Sequence, residues 1–374
     1  MPKINFFDII RSNGGWSLKF LKAVDYFVGF LLASILPRQK VQATLPKSIH
    51  RILIIRPGGV GDAVFLLPIL KELKTRGMDI DVLCEMRNAE IFSSQGYQVF
   101  FYNQFKSLNQ ILKNTYDIVI DTEQWHYVSA IIGYFTRSGY RVGFATRPLR
   151  TKLFNKPVSY GDNDYELDNF KRLFDGLVPV RGPINDINDC FHVPDSIKIW
   201  ASQQIPNKSV TIFLGASIAI RRFSHEQLLL MAHNFLEKSY YLVLLGGKDV
   251  ESMAQRLIRA INDPRILNFV GKISLMQSAG LIQTSQKFIG PDSGLMHLAC
   301  AVGTSVVAIF GPGNLIKWGP QGNKHKIVTE NVLCSPCTRF GYTIPICGGR
   351  YQCVRELNVL SIIEAIENSQ GLRQ

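Results

Sequence analysis

Apolar residues in this chain fall into short runs separated by stretches of helical length. The run at 50–56, HRILIIR, is bounded by charge and predicts a buried strand. After a glycine turn, Val64, Leu67, Leu70 and Leu73 lie roughly on one face of a helix predicted over 63–75. Strands are predicted at 80–84, 97–102, 116–121 and 141–144, with helical segments between them. Such alternation predicts a parallel sheet. Pro179, Gly182, Pro183, Pro194 and Pro206 then interrupt the pattern and mark a domain boundary, with 186–206 as the linker. A second series follows. Strands are predicted at 209–214, 240–245 and 266–269, with helices starting near Ser224 and Ser274, and Ser224 with Gln227 makes a capping-box pattern. A last helix is predicted at 359–367. The chain thus divides into a leader (1–46), an α/β domain (47–185), the linker, a second α/β domain (207–355) and a tail (356–374).

The most informative stretch is 288–313, FIGPDSGLMHLACAVGTSVVAIFGPG. It reads as strand, cap, helix, turn and strand. Asp292 or Ser293 can accept the free N–H groups at the helix start. The same helix end can instead hold an anion, because its N–H groups point outward and its dipole favours negative charge. His297 one turn on, and Gly290, Gly294 and Gly311 around the cap, favour the ligand reading over plain fold building. Earlier strand ends in this half carry Arg221-Arg222, Gly246-Gly247-Lys248 and Gly271-Lys272. A rim of small and basic residues suits a nucleotide, and an arginine pairs with phosphate through two parallel bonds.

In the first half, the strand 50–56 feeds Pro57-Gly58-Gly59-Val60-Gly61-Asp62. Strand, glycine loop and helix is the shape of a phosphate loop, but the full GxGxxG fingerprint and the Walker lysine are absent. Asp62 can cap the helix, or project into the crevice at the strand's carboxyl end, where open α/β sheets bind ligands. Asp121, Glu123 and His126 follow the fourth strand and read as caps and surface residues, with an approach to the same crevice as the alternative. Asp162, Asp164, Glu166 and Asp168 lack histidine partners and calcium-loop spacing, so they predict no metal site.

The chain of 374 residues carries a formal net charge of +13, which favours an anionic partner. There is no zinc-finger spacing and no arginine-rich arm, and aromatic residues are not interleaved with lysines; nucleic acid is not expected. The leader is basic on its own account, since Lys3, Arg11, Lys19, Lys22, Arg38 and Lys40 face only Asp8 and Asp25. Its charge-free apolar run, 26–36, is eleven residues long, against about twenty for a span of the bilayer. Trp16, Phe20, Phe27, Phe30 and Leu31 on a basic helix would suit a membrane interface; packing against the first domain is the alternative.

Cys334, Cys337, Cys347 and Cys353 form C-x₂-C-x₉-C-x₅-C. Four thiolates could hold a structural zinc, and the spacing also allows an iron–sulfur centre, disulfides or free thiols. With no export signal, a reducing compartment is expected, which argues against disulfides.

On the motifs RPGGVGDAVFLLPIL (56–70), GASIAIRRFSHEQ (215–227) and FIGPDSGLMHLACAVGTSVVAIFGP (288–312), the chain resembles the heptosyltransferase family, glycosyltransferase family 9, over roughly 51–367. The resemblance implies an α/β protein of GT-B type, with two Rossmann-like domains facing a cleft and the helical leader as an extension. It implies inverting transfer of a heptose from a nucleotide diphosphate sugar, ADP-heptose in the main reading, to a lipid-linked glycan of lipopolysaccharide. The place is the cytoplasmic face of the inner membrane, with peripheral attachment. Asp62 matches the acidic residue proposed as general base. Arg222 matches the phosphate-holding position, and Asp292, Ser293, Gly294 and His297 match the donor motif DSGxxH. Lys248 and the glycine loops Gly58, Gly59, Gly61, Gly246, Gly247 and Gly311 complete the expected site. No cofactor is required for catalysis. This sequence departs from the family in Arg222-Phe223-Ser224, where Trp-Pro often follows the basic residue, and in a glycine turn where serines are frequent. The rival readings are a non-catalytic nucleotide-sugar-binding protein of envelope assembly and a nucleotide-sugar epimerase or dehydrogenase.

Overall fold

The computed structural model describes residues 22–42, 44, 46–176, 184–216, 218–330, 332–339, 342–343, 347 and 350–368. It forms two compact units, Met1–Asn185 with Arg339–Tyr342, and Asp186–Thr338 with Thr343–Gln374.

The first unit is built on six parallel strands: β1 (Arg51–Arg56), β2 (Asp79–Cys84), β3 (Gln98–Phe101), β4 (Thr115–Asp121), β5 (Arg137–Phe144) and β6 (Lys156–Val158). Their order is β3-β2-β1-β4-β5-β6. Ile52 to Ile55 are almost wholly buried, as a strand covered on both faces requires. Leu53, Ile55, Leu83, Phe100, Tyr116 and Val119 form one core cluster. The edge strand β6 was not expected from the sequence; it is three residues long and contains Pro157, which only an edge position tolerates.

The second unit repeats the plan with β7 (Ser209–Phe213), β8 (Tyr241–Leu245), β9 (Ile266–Asn268), β10 (Lys287–Pro291), β11 (Ser305–Phe310) and β12 (Lys326–Thr329). The order β12-β11-β10-β7-β8-β9 is the same doubly wound arrangement, all parallel. The helix Val359–Glu367 closes its core through Val359, Ile362, Ile363 and Ile366. Ser224 and Gln227 form the predicted capping box at the helix His225–Glu237.

Two segments differ from the sequence reading. The stretch taken as a linker, 186–206, belongs to the second unit and contains the helix Asp195–Gln204, which Pro194 precedes at its N-cap. Its Ile197 and Ala201 lie so close to Gly280 that a Cβ there would come within 2.7 Å of the Ile197 side chain. Proline here starts a helix rather than ending a domain. The leader is not a separate body either. Its described part runs as a helical turn, a π-type turn Asp25–Gly29 and a helix Phe30–Ile35, and it packs on the helix Tyr127–Phe135. Both oxygens of the Asp25 carboxylate accept from the backbone N–H of Tyr127, and Oδ1 also accepts from that of Val128, at 2.8–3.2 Å. The acid caps that helix from outside. The expected helix over 16–36 lies outside the described residues up to position 21. Among the described residues no helix is long and apolar enough to cross a membrane.

Candidate active site

In both units the strand order reverses between the first and fourth strands, β1/β4 and β7/β10. Open α/β sheets bind ligands at the carboxyl ends of such strands; Asp62 follows β1, Arg222 follows β7, and Asp292, Ser293, Gly294 and His297 follow β10, whereas Gly246, Gly247 and Lys248 follow β8 and Gly311 follows β11.

In the first unit β1 ends at Arg56, whose side chain is 2% exposed. The chain then turns through Gly58, at φ +123°, and Gly59 into the helix Val60–Thr75, with Asp62 in its first turn. Arg56 folds back under this turn. Its Nη2 donates to Asp62 Oδ2 at 3.1 Å and lies 3.7 Å from Glu123 Oε2. Its Nη1 donates to the Thr122 carbonyl at 2.8 Å. A Cβ on Gly58 would come within 2.7 Å of Arg56 Nη2, so glycine here supplies both the backbone angle and the space for the guanidinium. Asp62 remains about a quarter exposed, 28%, and is therefore held on one side and open on the other.

Behind it lies a buried charge network, built from residues for which the cap-and-surface reading fails and the alternative, an approach to the crevice, is the nearer one. Glu123 Oε1 accepts from the Trp125 N–H at 3.0 Å. Burial pushes the Glu123 carboxyl up, but His126 and Arg56 outweigh it and hold it below the usual carboxylate range. Asp121 pairs with Arg150 at 2.5 Å, both fully buried. There burial wins over Arg150 and raises the Asp121 carboxyl to about 6. Of the acidic cluster before the helix Glu166–Phe174, Glu166 is buried and accepts from Tyr160 Oη at 2.8 Å and Gln124 Nε2 at 2.8 Å.

In the second unit β10 delivers Asp292, Ser293 and the helix Gly294–Ala301, with Ser293 at the N-cap. The Ser293 hydroxyl is buried and makes no hydrogen bond among the described residues, and its side chain does not cap the helix. A buried polar group without a partner at a helix N-terminus marks a place for a ligand. Asp292 is ion-paired with Arg221 at 2.9 Å, and Arg221 Nη1 also donates to the Asp292 carbonyl at 3.0 Å. A Cβ on Gly313 would come within 2.0 Å of Asp292 Oδ2, so Gly313 makes room for that carboxylate. His297 is 4% exposed. Burial, and then Arg221, push its imidazole down to about 3, which keeps it neutral.

The structure separates the basic pair. Arg221 is buried against Asp292, whereas Arg222 is more exposed, donates to the Ala216 carbonyl at 3.3 Å and pairs with Asp249. Lys248 is exposed, in the short turn Lys248–Val250 after Gly246 and Gly247. Gly246 faces Val250, where a Cβ would come within 2.4 Å, which explains the tight turn. Gly311 has a packing role. Its missing Cβ leaves space for Val354 at 2.4 Å and Cys353 Sγ at 3.4 Å. Gly59 starts the first helix, and Gly61 lies in its first turn.

Two of the four cysteines, Cys337 and Cys353, lie at the same turn. Cys337 N donates to the Pro312 carbonyl at 3.0 Å, and Ser335 Oγ to the Gly311 carbonyl at 2.6 Å. Cys334, Cys337, Cys347 and Cys353 are free thiols. Burial, and then the neighbouring Cys353, Cys334 and Cys347, raise the Cys337 thiol to about 11. Among the described residues no three His, Cys, Asp or Glu side chains are arranged to hold a metal ion, so the zinc reading of Cys334, Cys337, Cys347 and Cys353 gains no support.

Sequence reasoning missed Arg56 and the space at Gly313, and it named Glu123 and Arg221 without their buried partners. Arg56 reads as the charge that bounds a strand, and only the turn at Gly58 shows that it points back toward Asp62.

Two doubly wound α/β units, each with its strand order reversing at the first strand, make this a protein of the two-Rossmann type. Residues 105–344 match glycosyltransferase family 9 (heptosyltransferase), and the chain belongs to that family. It is similar to lipopolysaccharide heptosyltransferase 3 of Escherichia coli, 32% identical over 69% of this chain and 75% of the relative. It is also similar to lipooligosaccharide heptosyltransferase 2 of Campylobacter jejuni, 21% identical over 85% and 98%. Among solved structures, E. coli ADP-heptose lps heptosyltransferase II superposes with a TM-score of 0.70 at 19% identity, over 85% of this chain and 97% of that one.

Proposed function

We propose that this enzyme moves a heptose, with inversion, from ADP-heptose to the lipid-linked core glycan of a lipopolysaccharide. The reaction would take place at the cytoplasmic face of the inner membrane, with the chain attached peripherally. The observation that carries this reading is the Arg56-supported Asp62 at the switch point of the first sheet. A carboxylate about a quarter exposed, aimed by a buried cation, suits a general base. The names of the similar proteins support heptose as the sugar and ADP as the nucleotide.

The acceptor hydroxyl oxygen forms a bond to the anomeric carbon. The bond from that carbon to the diphosphate oxygen breaks, and its electron pair leaves with ADP. The hydroxyl proton passes to Asp62, a step worth typically about 10²–10⁴-fold. The departing charge falls to the second unit. The N–H groups at the start of Gly294–Ala301 and the Ser293 hydroxyl take the phosphates, aided by Arg222 and Lys248. Arg222 exchanges its Asp249 partner for phosphate when the donor binds. Asp292, fixed by Arg221 and the space at Gly313, and neutral His297 shape the floor of this subsite.

The test is calorimetric titration of the protein with ADP, UDP, GDP and CMP, followed by transfer from ADP-heptose and determination of the product's anomeric configuration. Binding of ADP in preference to the others and an inverted product are expected. Binding without transfer to any lipopolysaccharide core would refute the enzymatic reading.

A further inference from the structure

The leader is packed inside out for a water-facing helix. Among its described residues, those it buries are Asp25, Gly29 and Ala33, at four-residue spacing. The fit depends on their small size, since a Cβ on Gly29 would come within 2.8 Å of the Tyr127 Cβ. Its large apolar residues point the other way. Val28 is 50% exposed, Leu31 62% and Ile35 70%, with Phe27, Phe30 and Leu32 each above 40%. Val24, Val28, Leu31 and Ile35 follow one another at three- and four-residue spacing, so they form a stripe. Phe135, at the end of the supporting helix, is 58% exposed as well. A globular helix does the opposite, and a contiguous apolar surface of this kind marks an interaction site.

The segment is nevertheless firmly attached. Beyond the Asp25 cap, Lys152 Nζ donates to the Ser34 carbonyl at 2.9 Å, Gln39 N to the Lys152 carbonyl at 2.8 Å, and Asn155 Nδ2 to the Lys40 carbonyl at 2.9 Å. Just past the helix, a cavity of about 380 Å³ opens between the leader and the loop after β5. Arg38, Arg147 and Lys152 line it with Thr146 and Thr151, and no acidic residue does. The Arg147 guanidinium is set by three rings, 4.0 Å from that of Tyr127, 4.8 Å from Trp125 and 5.2 Å from Tyr26.

We infer that this face is a docking surface for an anionic lipid bilayer: the stripe Val28, Leu31 and Ile35 enters the acyl boundary, and the Arg38–Arg147–Lys152 cavity takes a lipid phosphate. The charge pattern selects this occupant. Apolar side chains beside a cationic, acid-free cavity match the order of hydrocarbon and phosphate in a leaflet. A second copy of this +13 chain would bring cations against cations. The inference deepens the lipid-linked acceptor reading and rests on it, because it says how the first unit meets the surface that carries the acceptor.

The experiment is flotation of the full chain with vesicles of phosphatidylcholine alone and of phosphatidylcholine with phosphatidylglycerol. Wild type is expected to float with the anionic vesicles. The pair Leu31→Asp and Ile35→Asp, both on exposed positions, should lower the bound fraction by about tenfold or more. Arg38→Glu with Lys152→Glu should cut binding to anionic vesicles and leave that to phosphatidylcholine unchanged. Light scattering of the same proteins separates the rival occupant: a wild-type dimer that the apolar variants split would overturn the inference. So would wild-type protein that stays out of the anionic vesicle fraction, or variants that float equally well. Transfer to a delipidated, soluble acceptor glycan should survive in all variants. Its loss in wild type, with flotation intact, would instead refute the proposed function.

Discussion

Gly58→Ala tests whether Arg56 aims Asp62, the carboxylate proposed as general base. An alanine there must adopt φ near +123°, a strain on the order of 1–3 kcal/mol for a residue with a Cβ. The new methyl would lie 2.7 Å from Arg56 Nη2, far inside ordinary contact. A surface arginine would swing away at little cost. This one is buried and bonded to Asp62, the Thr122 carbonyl and, more loosely, Glu123, so relief has to come through one of those contacts. Moving the guanidinium by several tenths of an ångström displaces Asp62 or leaves it unsupported. Misplacement of about 1 Å at a reacting group costs up to roughly 10²-fold. The expected result is a fall in kcat of about 10–100-fold, with ADP affinity by calorimetry within about twofold of wild type and far-ultraviolet circular dichroism unchanged. Arg56→Lys, which keeps a cation but loses the fork that spans Asp62 and Thr122, should fall less than Arg56→Met. An unchanged kcat in Gly58→Ala, with the protein folded, would refute the positioning role of Arg56.

Asp62→Asn should lower transfer by about 10²–10⁴-fold while ADP titration stays as in wild type; full activity would remove Asp62 as base. Arg222→Ala should weaken ADP binding by about 10–100-fold, as loss of a charge-assisted bond implies, and equal affinity would move the phosphate contact elsewhere. Replacing Arg221 by Met should do different damage: it removes the cation of a buried ion pair, so urea unfolding should show a loss of about 3–5 kcal/mol, and a stable variant would refute the structural reading of this pair. His297 binds its proton at about 3 in the folded chain, against about 6.5 when unfolded. Between these values the unfolded state holds more protons, so this group's contribution is complete above about pH 6.5 and is lost as pH falls toward 3. His297→Gln should therefore flatten the loss of thermal stability between pH 7 and pH 4.5; an identical slope would assign that loss to other groups, such as His325.

By itself the sequence determined the repeated α/β plan. Apolar runs such as Ile52–Ile55 can only be strands covered on both faces, and small residues, caps and glycines at their carboxyl ends follow from local backbone chemistry. The Gly58 to Asp62 turn and the Asp292-Ser293-Gly294 helix start were legible for that reason, and so was the family. What only the tertiary structure decided concerns residues whose partners are far away in the chain. Arg56 meets Glu123 across two strands, Arg221 meets Asp292 over seventy-one positions, and Gly313, not Gly311, leaves room for that acid. The segment 186–206 looked like a linker because proline carries the same local signal at a helix start as in a loop; contact with Gly280 settles which it is. In the leader, composition gave an amphipathic segment, but periodicity cannot say which face is covered. The small face of Asp25, Gly29 and Ala33 fits against Tyr127, and that fit leaves the large apolar residues outside.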